Sequence, residues 1–362
     1  MPPPIKVLIV DDSILVRETA SQILSGHPDI MVMDTAIDPI FAMETMLKTW
    51  PDVIVLDIQM PRMDGLTFLR KIMAEHPTPV VICSTLLGNG PQVGIDALAA
   101  GAVSLITKPK LGVRHFFEDE SDNILAAVRA AARTNPNRLR QIAKQSSFTG
   151  PPLTKPSPAG LGTNPSLARR VIALGASTGG TQALESVLKA LPVELPGIVI
   201  VQHMPLGFTK KFADHLSQDT RLVVREAEHK QTVEPGLVLI APAGRQMRLM
   251  QNTLHYCVEV VEGPVINRHR PSVDCLFSSV AKTARQNAMG VLMTGMGDDG
   301  ALGMKEMFDS GATTIAESEE TCVVFGMPRV AILRGGAREV LPLYKIAERI
   351  VQWARQPLVC YQ

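Results

Sequence analysis

Five polar residues stand at the ends of apolar runs in the first third of the chain. Asp11 and Asp12 follow the run at 7–10, Asp57 closes the run at 53–57, Ser84 closes 79–84, and Lys108 follows 103–107. If these runs are parallel strands, their C-terminal ends meet at the crevice where an open α/β sheet binds its ligand. Carboxylates gathered there repel one another until a hard cation neutralises them, and Mg²⁺, held by a few carboxylates and waters, suits such a site. A hydroxyl and an ammonium at the same edge complete a layout for phosphoryl transfer to a carboxylate.

A second set lies beyond residue 170. Gly175-Ala176-Ser177-Thr178-Gly179-Gly180 follows an apolar run and precedes a helical pattern. A G-x-S-x-G turn between strand and helix exposes the serine hydroxyl. The N–H groups at the helix start, that of Thr178 among them, face a developing oxyanion. Such turns also cradle phosphates, which leaves a phosphate- or dinucleotide-binding module or a non-catalytic interaction module as alternatives. A dinucleotide site wants an acid about 20 residues on; the end of the next apolar run instead reads Gln202-His203-Met204-Pro205. His203 is thus placed as a base for Ser177, and the other seven histidines occupy no comparable position. Asp298 or Asp299, in the glycine-rich turn after 291–295, supplies a carboxylate to orient the imidazole. The order Ser, His, Asp differs from that of the α/β-hydrolases.

These groups need two scaffolds. Apolar runs at 7–10, 31–34, 53–57, 79–84 and 103–107, each followed by a helical pattern, predict one doubly wound α/β sheet. Runs at 171–175, 198–202, 237–241, 291–295 and 312–317 predict a second, mostly parallel one, with an antiparallel hairpin over 245–262. Between them, fifteen of the 21 residues at 146–166 are Pro, Gly, Ser or Thr and none is acidic, a composition that cannot bury a core. The expected division is 1–140, a flexible linker at 141–168, and 169–362.

Composition narrows the class. At 362 residues the chain supports about two domains, and 46% hydrophobic residues suffice for two cores. With 36 Lys+Arg against 35 Asp+Glu there is no basic excess for a nucleic-acid backbone. No run reaches the ~20 apolar residues of a membrane span. Cys83, Cys257, Cys275, Cys322 and Cys360 are odd in number and contain no CxxC pair. That pattern fits reduced thiols in the cytoplasm.

VLIVDDS, VLDIQMPRMDG and TKP resemble the receiver domain of two-component response regulators over residues 5 to about 130. The resemblance implies a flavodoxin-like fold, Asp57 as phosphoacceptor, Asp11, Asp12 and Asp57 around Mg²⁺, and Ser84 and Lys108 contacting the phosphoryl group, with a cis Lys108–Pro109 bond. Leu105 stands where many receivers carry an aromatic switch residue. GASTGG, VIVQHMP, NRHRPSVD, LMTGMGDDGA and VVFGMP resemble the methylesterase domain of the CheB family, chemotaxis protein-glutamate methylesterases. That resemblance implies a Rossmann-like esterase domain with Ser177 as nucleophile, His203 as base, Asp299 as orienter and the Met296 N–H as an oxyanion donor. It also implies hydrolysis of glutamyl methyl esters and deamidation of glutamines on methyl-accepting chemoreceptors. The esterase needs no metal, and the histidine kinase CheA is the implied phosphodonor. The unphosphorylated receiver is expected to limit access to Ser177.

Overall fold

The computed structural model describes residues 3–84, 90–108, 116–145, 165–253 and 255–357, and the chain divides into two compact units, Met1–Thr149 and Gly150–Gln362. The first runs β1 (Ile5–Val10), α1 (Ile14–Ser25), β2 (Ile30–Ala36), α2 (Pro39–Lys48), β3 (Val53–Asp57), α3 (Gly65–Glu75), β4 (Val80–Ser84), α4 (Gly90–Ala99), β5 (Ser104–Thr107), α5 (Phe116–Ala132) and α6 (Pro136–Gln145). Its five strands are parallel in the order β2-β1-β3-β4-β5. Every residue of β3 and β4 is buried, which is why these strands read as unbroken apolar runs. The chain leaves β1 to one side for β2 and returns on its other side as β3, so the crevice opens between β1 and β3, beside Asp11 and Asp57. Leu105 is buried in β5.

Helices enter both ends of the segment expected to be an unstructured linker. Asn135 Oδ1 accepts the N–H groups of Asn137 and Arg138, an N-cap with Pro136 in the first turn, so α6 continues past residue 140 to Gln145. At the other end α7 spans Pro165–Ala168. Residues 146–164 and Pro109, hence the expected cis Lys108–Pro109 bond, lie outside the described residues.

From α7 the second unit continues as β6 (Val171–Ala176), α8 (Gly180–Ala190), β7 (Gly197–Gln202), α9 (Thr209–Asp219), β8 (Val223–Glu226), β9 (Gln231–Thr232), β10 (Leu237–Ile240), β11 (Gln246–Gln251), β12 (Tyr256–Val261), α10 (Val273–Thr283), β13 (Ala288–Leu292), α11 (Ala301–Asp309), β14 (Thr313–Glu317), α12 (Met327–Leu333), β15 (Glu339–Leu341) and α13 (Leu343–Ala354). Seven parallel strands lie in the order β15-β14-β13-β6-β7-β10-β8. The expected hairpin is present as β11 and β12, joined by the short β9 into a three-stranded antiparallel sheet. Buried residues of α10, α11 and this small sheet form one core cluster with those of the large sheet. Edge strands β8 and β15 escape the sequence pattern because they are short and only partly buried. β13 starts three residues earlier than expected, pairing Ala288 with Val171, and ends three earlier, where the N–H of Thr294 donates to the buried Glu317 carboxylate instead of extending the ladder. The reversal of strand order falls between β6 and β13.

α3 approaches β3 so closely that a Cβ on Gly65 would lie 2.0 Å from the Asp57 carbonyl oxygen. Since the obstacle is backbone, Gly65→Ala is expected to destabilise the first unit by about 1–3 kcal/mol, measured by denaturant unfolding. An unchanged midpoint would contradict this packing.

Candidate functional site

In the crevice of the first unit, Asp11 and Asp57 are almost fully buried and Asp12 is exposed. One carboxylate oxygen from each of the three lies within 4.8 Å of the others. Lys108 Nζ sits 2.8 Å from Asp11 Oδ2 and 2.7 Å from Asp57 Oδ2. Ser13 N–H donates to Asp11 Oδ1, and Ile58 N–H donates to Asp57 Oδ1. Burial raises the carboxyls of Asp11 and Asp57 above the ordinary aspartate range despite Lys108. Burial also pulls on the Lys108 ammonium, but its bonds to Asp11 and Asp57 outweigh that and raise its pKa. One ammonium against three carboxylates leaves excess negative charge among hard oxygen donors, a set chemically fit for a small divalent cation. Ser84 is buried beside them, and its carbonyl accepts the Lys108 N–H at 2.8 Å. A second acid–histidine group, Glu185, His215 and Asp219, already has a cation: Lys189 Nζ lies 2.5 Å from Glu185 and 3.2 Å from Asp219.

The second crevice collects Ser177 after β6, His203 after β7 and Asp299 after β13. Ser177 N–H donates to Thr294 O at 3.0 Å, and its carbonyl accepts Gly180 N–H and Gln202 Nε2. The same Gln202 amide donates to His203 O, and His203 N–H donates to Ala176 O. One buried side chain therefore braces the backbones of Ser177 and His203. Thr294 Oγ1 donates to Thr178 O at 2.9 Å, and Gly295 O accepts the N–H groups of Gly326 and Met327. These bonds fix the two turns that carry the Thr178 and Met296 amides. Among the described residues, neither amide N–H nor the Ser177 hydroxyl has a hydrogen-bond partner in the protein.

Asp299 is 1% exposed and fully engaged. Oδ2 lies 2.8 Å from His203 Nε2 and accepts Val273 N–H at 2.7 Å; Oδ1 accepts the Ser272 hydroxyl at 2.7 Å, Asn267 Nδ2 at 3.0 Å and Asp274 N–H at 3.3 Å. Val273 and Asp274 open α10, so the carboxylate occupies a helix N-terminus, where exposed amides favour negative charge. Burial alone would raise its pKa, but the His203 ring and then Ser272 and Val273 hold it far below the ordinary carboxylate range. An ionised Asp299 accepts only, so Nε2 of neutral His203 carries the proton and Nδ1 holds the lone pair. That Nδ1 is buried and without a hydrogen-bond partner among the described residues. Gly300, at φ +89°, turns the chain into α11 where a Cβ would meet Val273 at 2.6 Å. Asp298 neither caps α11, whose N-cap is Gly300, nor enters the site; it is exposed, 3.6 Å from Arg334.

Sequence reasoning missed much of what surrounds this pair. Ile266 and His269 exchange backbone hydrogen bonds around Asn267 and Arg268, both in the left-handed region at φ +49° and +66°. This tight turn delivers the Asn267 amide to Asp299 and Asp274. It also lays the His269 ring on His203, with centroids 3.6 Å apart and planes 10° from parallel. His269 is therefore not one of the uninvolved histidines. The cluster of polar and charged residues in NRHRPSVD was the available signal, but no periodicity indicates where such a turn points.

Residues 172–350 match the family model described as CheB methylesterase, and residues 7–113 match that of the response regulator receiver domain. The chain is 55% identical to "Protein-glutamate methylesterase/protein-glutamine glutaminase 2" of Dechloromonas aromatica, over 97% of this chain and 98% of that one. It is 54% identical to the protein of the same description from Albidiferax ferrireducens, over 95% and 99%. Its second half resembles the crystal structure of the Thermotoga maritima CheB methylesterase catalytic domain, at 40% identity and a TM-score of 0.50, covering 51% of this chain and 98% of that one.

The depressed Asp299 carboxyl makes a prediction about acid stability. A group with a lowered folded-state pKa contributes stability above its unfolded pKa, about 3.9, and loses it as pH falls toward the folded value. The difference in unfolding free energy between the protein and Asp299→Asn is expected to shrink as pH falls from about 5 toward 3. A difference that stays flat would place the charge elsewhere.

Proposed function

This chain belongs to the CheB methylesterase family, with a response-regulator receiver ahead of the esterase domain, and we propose that Ser177, His203 and Asp299 carry out its hydrolysis. Its activity is that of a protein-glutamate methylesterase/protein-glutamine glutaminase under receiver control, serving chemotactic adaptation. The observation that carries the catalytic reading is the buried His203–Asp299 pair, which leaves Nδ1 as the only basic nitrogen, on the residue braced to Ser177 through Gln202.

Ser177 Oγ attacks the glutamyl carbonyl while Nδ1 of His203 takes its proton. The imidazolium that forms is stabilised by Asp299, whose five donors keep it ionised. The uncommitted N–H groups of Met296 and Thr178 receive the oxyanion. On collapse the imidazolium returns the proton to the leaving group, methanol from an ester or ammonia from a carboxamide. Water, deprotonated by His203, then releases the glutamate and frees Ser177. The reaction requires a Ser177 Oγ–His203 Nδ1 hydrogen bond in the substrate complex, since catalytic hydrogen bonds commonly form or tighten there. The substrate is a glutamyl or glutaminyl side chain of a methyl-accepting chemoreceptor.

In the receiver, Asp57 is the phosphoacceptor, and Asp11, Asp12 and Asp57 would hold Mg²⁺; when bound, that cation offsets the negative charge of the phosphoryl group. Lys108 holds the two buried carboxylates together and, with the Ser84 hydroxyl, is positioned at the edge where phosphoryl oxygens arrive. CheA is the expected donor. A cytoplasmic setting is the reading that membership of the CheB family supports; among the described residues no helix is long and apolar enough to cross a membrane.

Ser177→Ala is expected to abolish methanol release from methylated receptor, leaving at most the ~10³–10⁴-fold advantage over water that binding and the oxyanion donors supply. Retention of most of the rate would remove Ser177 from the role of nucleophile. Acetyl phosphate with Mg²⁺ is expected to raise the rate of the full-length protein and to leave Asp57→Asn at its basal rate. Equal stimulation of both would exclude Asp57 as the phosphoacceptor.

A further inference from the structure

The stacked ring of His269 serves nothing in the reaction as described, and its placement is costly. Two consecutive non-glycine residues in the left-handed region, one of them the long Arg268, form the turn that presents it. Such conformations persist where the surroundings over-determine them. Here the buried Gln246 does so: its amide donates to Pro264 O and His269 O, and its carbonyl accepts Ser272 N–H, tying the turn to the start of α10.

We infer that His269 is a positioning residue whose ring, stacked on one face of the His203 imidazole, keeps Nδ1 directed at Ser177. Asp299 fixes His203 at a single atom, Nε2, and a ring held at one edge still swings about that hydrogen bond. The stacked face removes this freedom and keeps water from that side of the ring. To serve as a passive plate beside an imidazole that becomes a cation, His269 must itself stay neutral. Burial and the neighbouring charge of His203 lower its pKa to about 3. The charged groups facing the stacked pair are Asp299 from the turn after β13 and Arg268 in the turn itself, with Asp274 one hydrogen bond further through Asn267.

The inference rests on the proposed Ser177–His203–Asp299 reaction, and the test separates the two. In full-length protein activated with acetyl phosphate and Mg²⁺, methanol release from methylated receptor is measured against pH for the unmodified protein, His269→Ala and His269→Phe. Labelling of Ser177 by a serine-directed fluorophosphonate is followed alongside. If the unmodified protein neither releases methanol nor is labelled, the reaction itself is wrong. If it does both, His269→Ala is expected to lose about 10²-fold in kcat, the cost of a misplaced catalytic group, with KM changed less than about threefold. Labelling should slow in parallel, and the acidic limb of the pH profile should move to higher pH as water reaches His203. His269→Phe, which restores a flat ring without nitrogens, is expected to recover most of kcat and the original profile. The inference is overturned if His269→Ala keeps kcat and the profile. It is also overturned if folded His269→Phe is as impaired as His269→Ala, because the nitrogens rather than the stacked face would then matter.

Discussion

A carboxylate buried at the start of a helix organises the catalytic half of this protein. Asp299 reaches α10 from across the β6–β13 crevice and accepts five hydrogen bonds there. Burying a charge is tolerable only when it is so fully satisfied. Once satisfied, it fixes the protonated edge of His203 and leaves Nδ1 as the nitrogen that the proposed reaction uses. The N-cap of α10, the strained turn at Asn267–Arg268 and the glycine at 300 all serve one acidic side chain.

The same topological rule builds the receiver site for different chemistry. There too the side chains gather where strand order reverses, but three carboxylates meet, two of them bonded to Lys108. That cluster of hard oxygen donors is chemically fit for a small divalent cation, which under the proposed reading offsets the charge of a phosphoryl group on Asp57. In the esterase Asp299 is enclosed by donors, shares the Asn267 amide with the buried Asp274 and is paired with an imidazole. One fold principle thus serves the phosphoacceptor proposed for one unit and the nucleophile proposed for the other, with different polar side chains at the two crevices.

Both sheets were legible in the sequence, because central parallel strands buried on two faces must be unbroken apolar runs. Every polar residue at a strand end could therefore be placed at the crevice, and Ser177, His203 and Asp299 lie together for that reason. α6 carried its own signal, an Asn-Pro helix start at Asn135–Pro136, masked by the polar composition that follows. The short edges β8 and β15 bury too little to leave a pattern. Gln202, Asn267, His269 and Ser272 were not legible, because their roles depend on how an irregular turn and a helix start approach from elsewhere in the chain. Between Asp298 and Asp299, spacing alone did not choose. The structure distinguishes them by burial, one facing α10 and the other facing solvent and Arg334.

The account turns on which nitrogen of His203 holds the proton. Long-range nitrogen–proton NMR of the imidazoles, with His203 assigned by substitution and recorded near neutral pH, reads this directly. The account predicts the Nε2–H form for His203 in the unmodified protein, with that preference lost in Asp299→Ala. A His203 protonated at Nδ1 would contradict it, because Asp299 would then face a lone pair and Ser177 would have no base.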